Sequence, residues 1–345
     1  MPLIPMNSPT FSPLSATPFP DGPRLLADIG GTNARFALEI APHVFSAVQV
    51  LPCNDYAQIA DALDAYLATS DVVRLTNGRM RHAALAIANP VENDRVRMTN
   101  HHWEFSIDAL RARMNFDTLV VVNDFTALAM ALPHLSAAQT VQVGGGHAHA
   151  GRTIGLIGAG TGLGVSGIIP SGKRWVPLSS EGGHVSFSPI DELEVAILRY
   201  VWRDFSHVSA ERLLSGPGLE LLYRALAACQ GTMGEEDMPA AEITRRAAAG
   251  TCPLCRQTIE TFCAMLGTVA GNLAITLGAT GGMYIGGGIV PRLGPLFEQS
   301  AFRARFEAKG RFAGYLAQIP TFVITEPYPA FLGVSAILEE RITSA

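Results

Sequence analysis

Charge is scarce in this chain of 345 residues: Asp, Glu, Lys and Arg make up 16%, the net charge is -5, and nowhere do Lys and Arg gather into a stripe. That absence removes the electrostatic footprint of a nucleic-acid-binding protein and disfavours a polyanionic macromolecular partner. Long apolar runs are missing too. The best of them, such as Ala264 to Ile275, are broken by Gly and Thr and fall short of the roughly 20 residues a membrane span needs, so no membrane association is expected. Cysteine is sparse: five residues, an odd number, make no disulfide framework, and reduced thiols in a cytoplasmic protein are the expectation. Residues 1–23 hold no Lys or Arg and no continuous apolar core, which reads as a flexible Pro/Ser-rich tail and not as a signal peptide.

What the chain has in abundance is apolar material, 48% of residues, enough for sizeable cores. Its length favours two domains with a cleft between them. Leu25–Ile29 runs through Gly30-Gly-Thr-Asn33 into Ala34–Ile40, the pattern of strand, polar Gly-rich bend, strand. Thr153–Ile157, the bend Gly158-Ala-Gly-Thr-Gly-Leu-Gly164 and Val165–Ile169 repeat that pattern, so the chain carries a degenerate internal duplication. Strands are also expected at His82–Ala88, Thr118–Val122, Met283–Ile285 and Thr321–Thr325. Helical periodicity marks Tyr56–Ser70, Ser106–Met114, Phe125–Leu132, Asp191–Phe205, Leu219–Gln230, Ala240–Ala249, Pro253–Leu277 and Leu332–Ile342. The Gly- and His-containing connector Gly144–Gly151 places a domain boundary near residues 134–150.

The two Gly/Thr bends are the strongest local signals for chemistry. Glycines let backbone N–H groups approach phosphate oxygens, and Thr32 and Thr161 add hydroxyl donors. Two decoys fail on context. Gly162–Gly167 matches G-x-G-x-x-G but continues as strand where a dinucleotide fold needs a helix, and Gly167–Lys173 lacks the Ser or Thr of a P-loop. Asn123-Asp124 closes an apolar strand, where α/β folds present catalytic side chains. By position alone Asp124 fits either a general base for a hydroxyl or the N-cap of the following helix. A capping role would favour its ionised form and restrain its basicity. Glu181-Gly-Gly-His184, with Glu211, groups acceptors and a donor-acceptor suited to vicinal sugar hydroxyls.

Seven motifs, Asp28-Ile-Gly-Gly-Thr-Asn-Ala-Arg35, Met98-Thr-Asn-His101, Asn123-Asp-Phe-Thr126, Gly158–Gly164, Glu181–His184, Ser215-Gly-Pro-Gly218 and Gly286-Gly-Gly-Ile-Val-Pro291, together resemble the bacterial glucokinase family, in the family's order and over residues 24–340. The resemblance implies a two-domain α/β fold of the actin/hexokinase-like (ribonuclease H-like) kind, with a duplicated core and an interdomain cleft. A small domain would comprise residues 24–134 plus 326–345, and a large domain residues 135–325. It implies Asp124 as catalytic base, and Asn100, Asn123, Asp124, Glu181, His184 and Glu211 as the sugar site. ATP would be held at Ala27, Asp28, Ile29, Gly30, Gly31, Thr32 and Asn33, at Gly160, Thr161 and Gly162, at Ser215, Gly216 and Gly218, and at Gly286, Gly287 and Gly288. Asp28 would position Mg2+ through water or the nucleotide. D-glucose and ATP are the implied partners, in a cytoplasmic homodimer with no tightly bound organic cofactor.

One departure is plain: related sugar kinases of the repressor and open-reading-frame kinase group carry a cysteine-rich zinc motif after a Gly-His pair, and nothing comparable follows His184. Cys252 and Cys255 offer too few ligands for a tetrahedral site, so no structural zinc is expected. Alternatives to a glucokinase are a hexokinase of broader specificity, a non-catalytic sugar-sensing regulator and a phosphatase of the same superfamily. The presence of Asp124, the lack of a basic DNA-binding module and the Glu181–His184 element weigh against the last two.

Overall fold

The strand that follows the tail, Arg24–Ile29, is apolar on both faces, as a strand sandwiched between two layers must be. In the computed structural model, which describes residues 17–77, 79–232, 234–235 and 238–344, the chain divides into two units. One runs up to Ala131 and takes back the segment from Tyr328 onward; the other spans Leu132–Pro327.

The first unit is built on a five-stranded sheet. Its strands are β1 (Arg24–Ile29), β2 (Asn33–Ala41), β3 (Val44–Pro52), β4 (His82–Ile87) and β7 (Thr118–Asn123), with β5 (Arg95–Arg97) and β6 (Glu104–Ser106) forming a separate ribbon. The order is β3-β2-β1-β4-β7, antiparallel from β3 to β1 and parallel from β1 to β7. Alternation along β1 sorts the layers. Leu25, Ala27 and Ile29 pack with Ile59, Leu63, Tyr66 and Leu110 on one side, while Leu26 joins Ala127, Phe331, Val334 and Leu338 on the other. The expected helices appear as Ile59–Leu67 and Ile107–Arg113, the latter capped by Ser106, whose Oγ accepts the Ala109 N–H at 3.0 Å. The C-terminal helix Pro329–Thr343 lies against helix Asp124–Ala131.

Residues 17–23 are more fixed than a flexible tail. Asp21 Oδ2 meets His82 Nε2 at 2.9 Å, and the Phe19 ring stacks on the Arg24 guanidinium at 3.7 Å. The rest of the expected tail, residues 1–16, lies outside the described residues.

The second unit repeats the arrangement. Its strands β8 (Thr140–Val143), β9 (Ile154–Ala159), β10 (Leu163–Ser171), β11 (Arg174–Pro177), β12 (Met283–Gly286) and β13 (Thr321–Ile324) are ordered β11-β10-β9-β12-β13-β8. Three antiparallel strands again lead into parallel neighbours at β9, β12 and β13, with β8 added antiparallel at the edge. The duplication read from the two Gly/Thr bends is therefore a duplication of sheet topology. Both decoys fall in this hairpin region: Gly167 is within β10, and Gly172, at φ +61, turns β10 into β11. Helix Pro253–Leu277 is 25 residues long and apolar enough to cross a membrane by length and composition, yet 67% of that apolar window is buried in the protein. It is the core helix of this unit, packed by the Phe302–Glu307 helix through Gly267 and Gly271.

Close approach of the C-terminal helix to helix Asp124–Ala131 depends on Gly333, because a β-carbon there would overlap the Ala127 carbonyl. Gly333→Ala is expected to destabilise the first unit by roughly 2–4 kcal/mol through overpacking, seen as a lower urea midpoint. An unchanged midpoint would show that the helices can separate at no cost.

Candidate active site

Parallel strands end together, so β1, β4 and β7 deliver their C-terminal residues to one edge of the first sheet: Ile29 pairs with Ile87 and Ile87 with Asn123. Asp28 sits one residue before that edge on β1, and Asp124 one residue beyond it after β7. With two inter-strand spacings between β1 and β7, their strands stand about 10 Å apart. Asp28 faces Arg35 across the β1–β2 hairpin, and Arg35 Nη1 donates to Asp28 Oδ2 at 3.0 Å. Between these strands the bend is tied down by backbone bonds from Gly30 N–H to Asn33 O and from Cys53 N–H to Thr32 O. Asn100 presses on this bend; a β-carbon on Gly31 would lie 3.0 Å from Asn100 Cβ and from its carbonyl oxygen.

Of the two roles that position leaves open to Asp124, the capping role goes to Asn123. Asn123 Oδ1 accepts the Phe125 and Thr126 N–H groups at 2.9 and 3.1 Å, and the helix begins at Asp124. Asn123 Nδ2 donates to Asp124 Oδ1 at 3.0 Å and to the Asn89 carbonyl at 3.3 Å, while Phe125 N–H adds a further bond to Asp124 Oδ1 at 2.8 Å. Asp124 Oδ2 stays outside these bonds. The helix terminus does not hold the carboxyl acidic. Burial first, then repulsion from Asp28, push its pKa up to about 6 against the hydrogen bonds from Phe125 and Asn123. Asp28 is itself pushed above the usual carboxylate range by burial, with Arg35 opposing.

In the second unit three Gly-rich segments converge. Gly160 N–H bonds Gly162 O at 2.8 Å to close the β9–β10 bend, and Gly216 N–H bonds Gly160 O at 2.8 Å. Ser215 caps the helix Gly216–Cys229 by accepting the Gly218 N–H at 3.1 Å. After β12, Gly287 adopts φ +80 directly against Ala159, an approach that any side chain would block, and Ile289 N–H bonds the Ala159 carbonyl at 3.1 Å. A cavity of about 180 Å³ opens beside this junction, lined by Thr161, Ser215, Glu211, Phe205, Arg212 and Arg224 among others.

Glu211 links this junction to the polar group expected for sugar. Its Oε2 accepts the Leu163 N–H at 2.9 Å, just past the bend, and its Oε1 lies 3.7 Å from His184 Nδ1. Glu181 stands 4.0 Å from His184 Nε2 and is the most exposed of the three at 71%. The expected residues thus gather as one set in each unit: Asp28, Gly30–Asn33, Asn100, Asn123 and Asp124 in the first, and Gly160–Gly162, Glu181, His184, Glu211, Ser215–Gly218 and Gly286–Gly288 in the second.

Sequence reasoning missed Asn89, Arg35 in its pairing role, and the cavity residues Phe205, Arg212 and Arg224. Asn89 is buried, accepts the Thr99 N–H at 3.1 Å and receives Asn123 through its carbonyl, but it sits in a loop with no periodicity to mark it. Arg35 was within reach, since a hairpin centred on the Gly30–Thr32 bend brings position 35 opposite position 28.

Two sheets of matching topology, each opening on a Gly/Thr hairpin and continuing into parallel strands, are the actin/hexokinase-like fold of the sugar kinases. The same architecture covers a solved glucokinase from an Antarctic psychrotroph at a TM-score of 0.84 and 37% identity, over 92% of this chain and 99% of that one. A family model described as Glucokinase matches residues 25–341, and the chain belongs to the glucokinase family. It is 53% identical to the glucokinase of Neisseria meningitidis over 93% of this chain and 96% of that protein. It is also 57% identical to the "Bifunctional protein glk" of Burkholderia pseudomallei over 96% of this chain. The chain spans about half the length of the bifunctional relatives it matches, 50% in that case.

A carboxyl whose folded pKa lies above its unfolded value favours the folded state when protonated, so that stability is complete below the unfolded pKa and is lost as pH rises through about 6. Keeping Asp124 ionised at pH 8 then costs roughly 3 kcal/mol at most. Asp124→Asn is expected to raise the urea midpoint at pH 8 and to change it little at pH 4. A variant less stable than the parent at pH 8 would contradict the electrostatic strain assigned here.

Proposed function

We propose that the protein is a glucokinase that transfers the γ-phosphoryl group of ATP to the 6-hydroxyl of D-glucose, giving glucose 6-phosphate and ADP. The observation that carries this reading is Asp124: a half-buried carboxylate at the C-terminal end of β7, fixed through one oxygen by Asn123 and Phe125, with a pKa near 6. A base of that strength is mostly ionised at neutral pH and still basic enough to take a hydroxyl proton, which a carboxylate of ordinary pKa does poorly. Membership of the glucokinase family supplies the substrate class.

Phosphoryl transfer passes through a loose transition state, so the protein's task is alignment and neutralisation of charge. Asp124 orients the 6-hydroxyl and accepts its proton. Asn100, Asn123, Glu181, His184 and Glu211 hold the remaining hydroxyls. The Gly30–Asn33 and Gly160–Gly162 bends, each closed by its first glycine N–H, offer their remaining N–H groups to phosphate oxygens, and Ser215–Gly218 with Gly286–Gly288 receive the adenosine end. Mg2+ enters with ATP as part of the substrate. The hard oxygen donor of Asp28, steadied by Arg35, suits a Mg2+-bound water. The same reading includes action in the cytoplasm as a homodimer.

Asp124→Ala is expected to leave glucose binding measurable by calorimetry while lowering kcat by at least about 100-fold in a coupled phosphorylation assay. Near-normal turnover would remove Asp124 from the role of base. Glu181→Gln and His184→Ala are expected to raise KM for glucose well beyond any change in KM for ATP; equal effects on both would contradict the sugar role. A panel of hexoses in the same assay separates a glucokinase from a hexokinase of broader range, which would turn over mannose or fructose comparably with glucose.

A further inference from the structure

Cys252 and Cys255 open the helix Pro253–Leu277 and take no part in the chemistry above. Cys252 is the N-cap, with φ -138 and ψ 108, and its Sγ accepts the Cys255 N–H at 3.3 Å. That bond draws the Cys252 sulfur over the first turn, toward the residue at the third helical position, which is Cys255. Side chains three residues apart at a helix start have β-carbons roughly 5–6 Å apart, a separation that small rotations of the N-cap residue reduce to disulfide reach. The surroundings of the two thiols differ: Cys252 is half-exposed and Cys255 fully buried. A zinc site would need further ligands, and among the described residues no group of three His, Cys, Asp or Glu is placed to hold a metal.

We propose that Cys252 and Cys255 form a redox-active dithiol, with Cys252 as the attacking sulfur and Cys255 as the buried resolving thiol, which a low-molecular-weight disulfide converts reversibly into an intramolecular disulfide. The Cys252 thiolate attacks one sulfur of the small disulfide and forms a mixed disulfide, expelling one small thiolate that picks up a proton. Cys255 then attacks the Cys252 sulfur and expels the second small thiolate, which takes up the proton that Cys255 gives up. Two electrons and two protons pass from the protein to the small molecule, and one S–S bond replaces another.

The electrostatics fit this division of labour. Partial burial opposes ionisation of Cys252, but the Cys255 N–H, the Cys255 thiol, the Leu254 N–H and Arg246 outweigh it and hold its pKa below the ordinary thiol range. Burial, then the bond to Cys252, push Cys255 up to about 12. Arg246 is held by Glu235 at 2.5 Å and Glu242 at 2.6 Å, and Tyr223 completes the polar surroundings.

The test uses the whole protein incubated with oxidised glutathione at pH 7, acid-quenched, alkylated, digested and weighed. The expected result is loss of two hydrogens from the peptide bearing both cysteines, reversed by dithiothreitol. Cys255→Ser is expected to retain glutathione on Cys252, and Cys252→Ser to carry none on Cys255. Iodoacetamide at pH 7 is expected to alkylate Cys252 at least about tenfold faster than the exposed Cys229. Recovery of both thiols in free form after oxidation, or equal alkylation of Cys252 and Cys229, would overturn the proposal. The first of these is read on the unaltered chain, so a variant that fails to fold leaves the answer intact.

Discussion

Burial of the Asp124 carboxyl at one edge of a parallel sheet, sharpened by repulsion from Asp28, is the constraint around which the site of the first unit is arranged. Left in water, Asp28 and Asp124 would both ionise easily, with solvent and salt screening one from the other. Buried at the ends of β1 and β7 they cannot, and the fold divides the cost. Arg35 takes Asp28 as an ion pair, while Asp124 is left with only dipolar partners and a raised pKa. The neighbouring features hold that division in place: Asn123 caps the helix so that Asp124 need not, Asn89 anchors Asn123, and Gly333 lets the C-terminal helix clamp the helix that Asp124 begins.

The second unit uses the same sheet for a different end. Its hairpin bend carries no carboxylate of its own; instead the glycines at 160, 216 and 287 bring three backbone segments close enough to share hydrogen bonds. Side chains there would fill the space that backbone N–H groups need to face a phosphate. Glu211 spans both jobs, since one oxygen fixes the backbone after the bend and the other points toward His184. One topology thus yields a charged edge in one unit and a backbone cradle in the other.

Much of this was legible in the chain because glycine and threonine at a bend between apolar runs leave few alternatives. The central strands β4, β7 and β9 are marked by apolar runs, and β1 by Leu25–Ala27 leading to Asp28. Strands β3 and β8 were not seen because they are half-exposed edges whose residues, such as Gln49 and Gln142, carry no buried alternation. The short helices between Val290 and Ala317 were missed for a related reason: four to six residues complete too few turns for a period to register. Whether Asp124 caps the helix stayed open in the sequence because Asn and Asp are equally good N-caps, and the bonds from Phe125 and Thr126 to Asn123 Oδ1 give the role to Asn123. The raised pKa of Asp124 was beyond sequence altogether, as it arises from burial and from a carboxylate 96 positions earlier in the chain, Asp28.

The central claim, that Asp124 is a base tuned by burial and by Asp28, is tested most directly by the pH dependence of kcat/KM for glucose at saturating ATP. An acid limb of unit slope with an apparent pKa near 6, moving to lower pH in Asp28→Asn, is the result the account predicts. A flat profile down to pH 5, or an acid limb unmoved by Asp28→Asn, would contradict it.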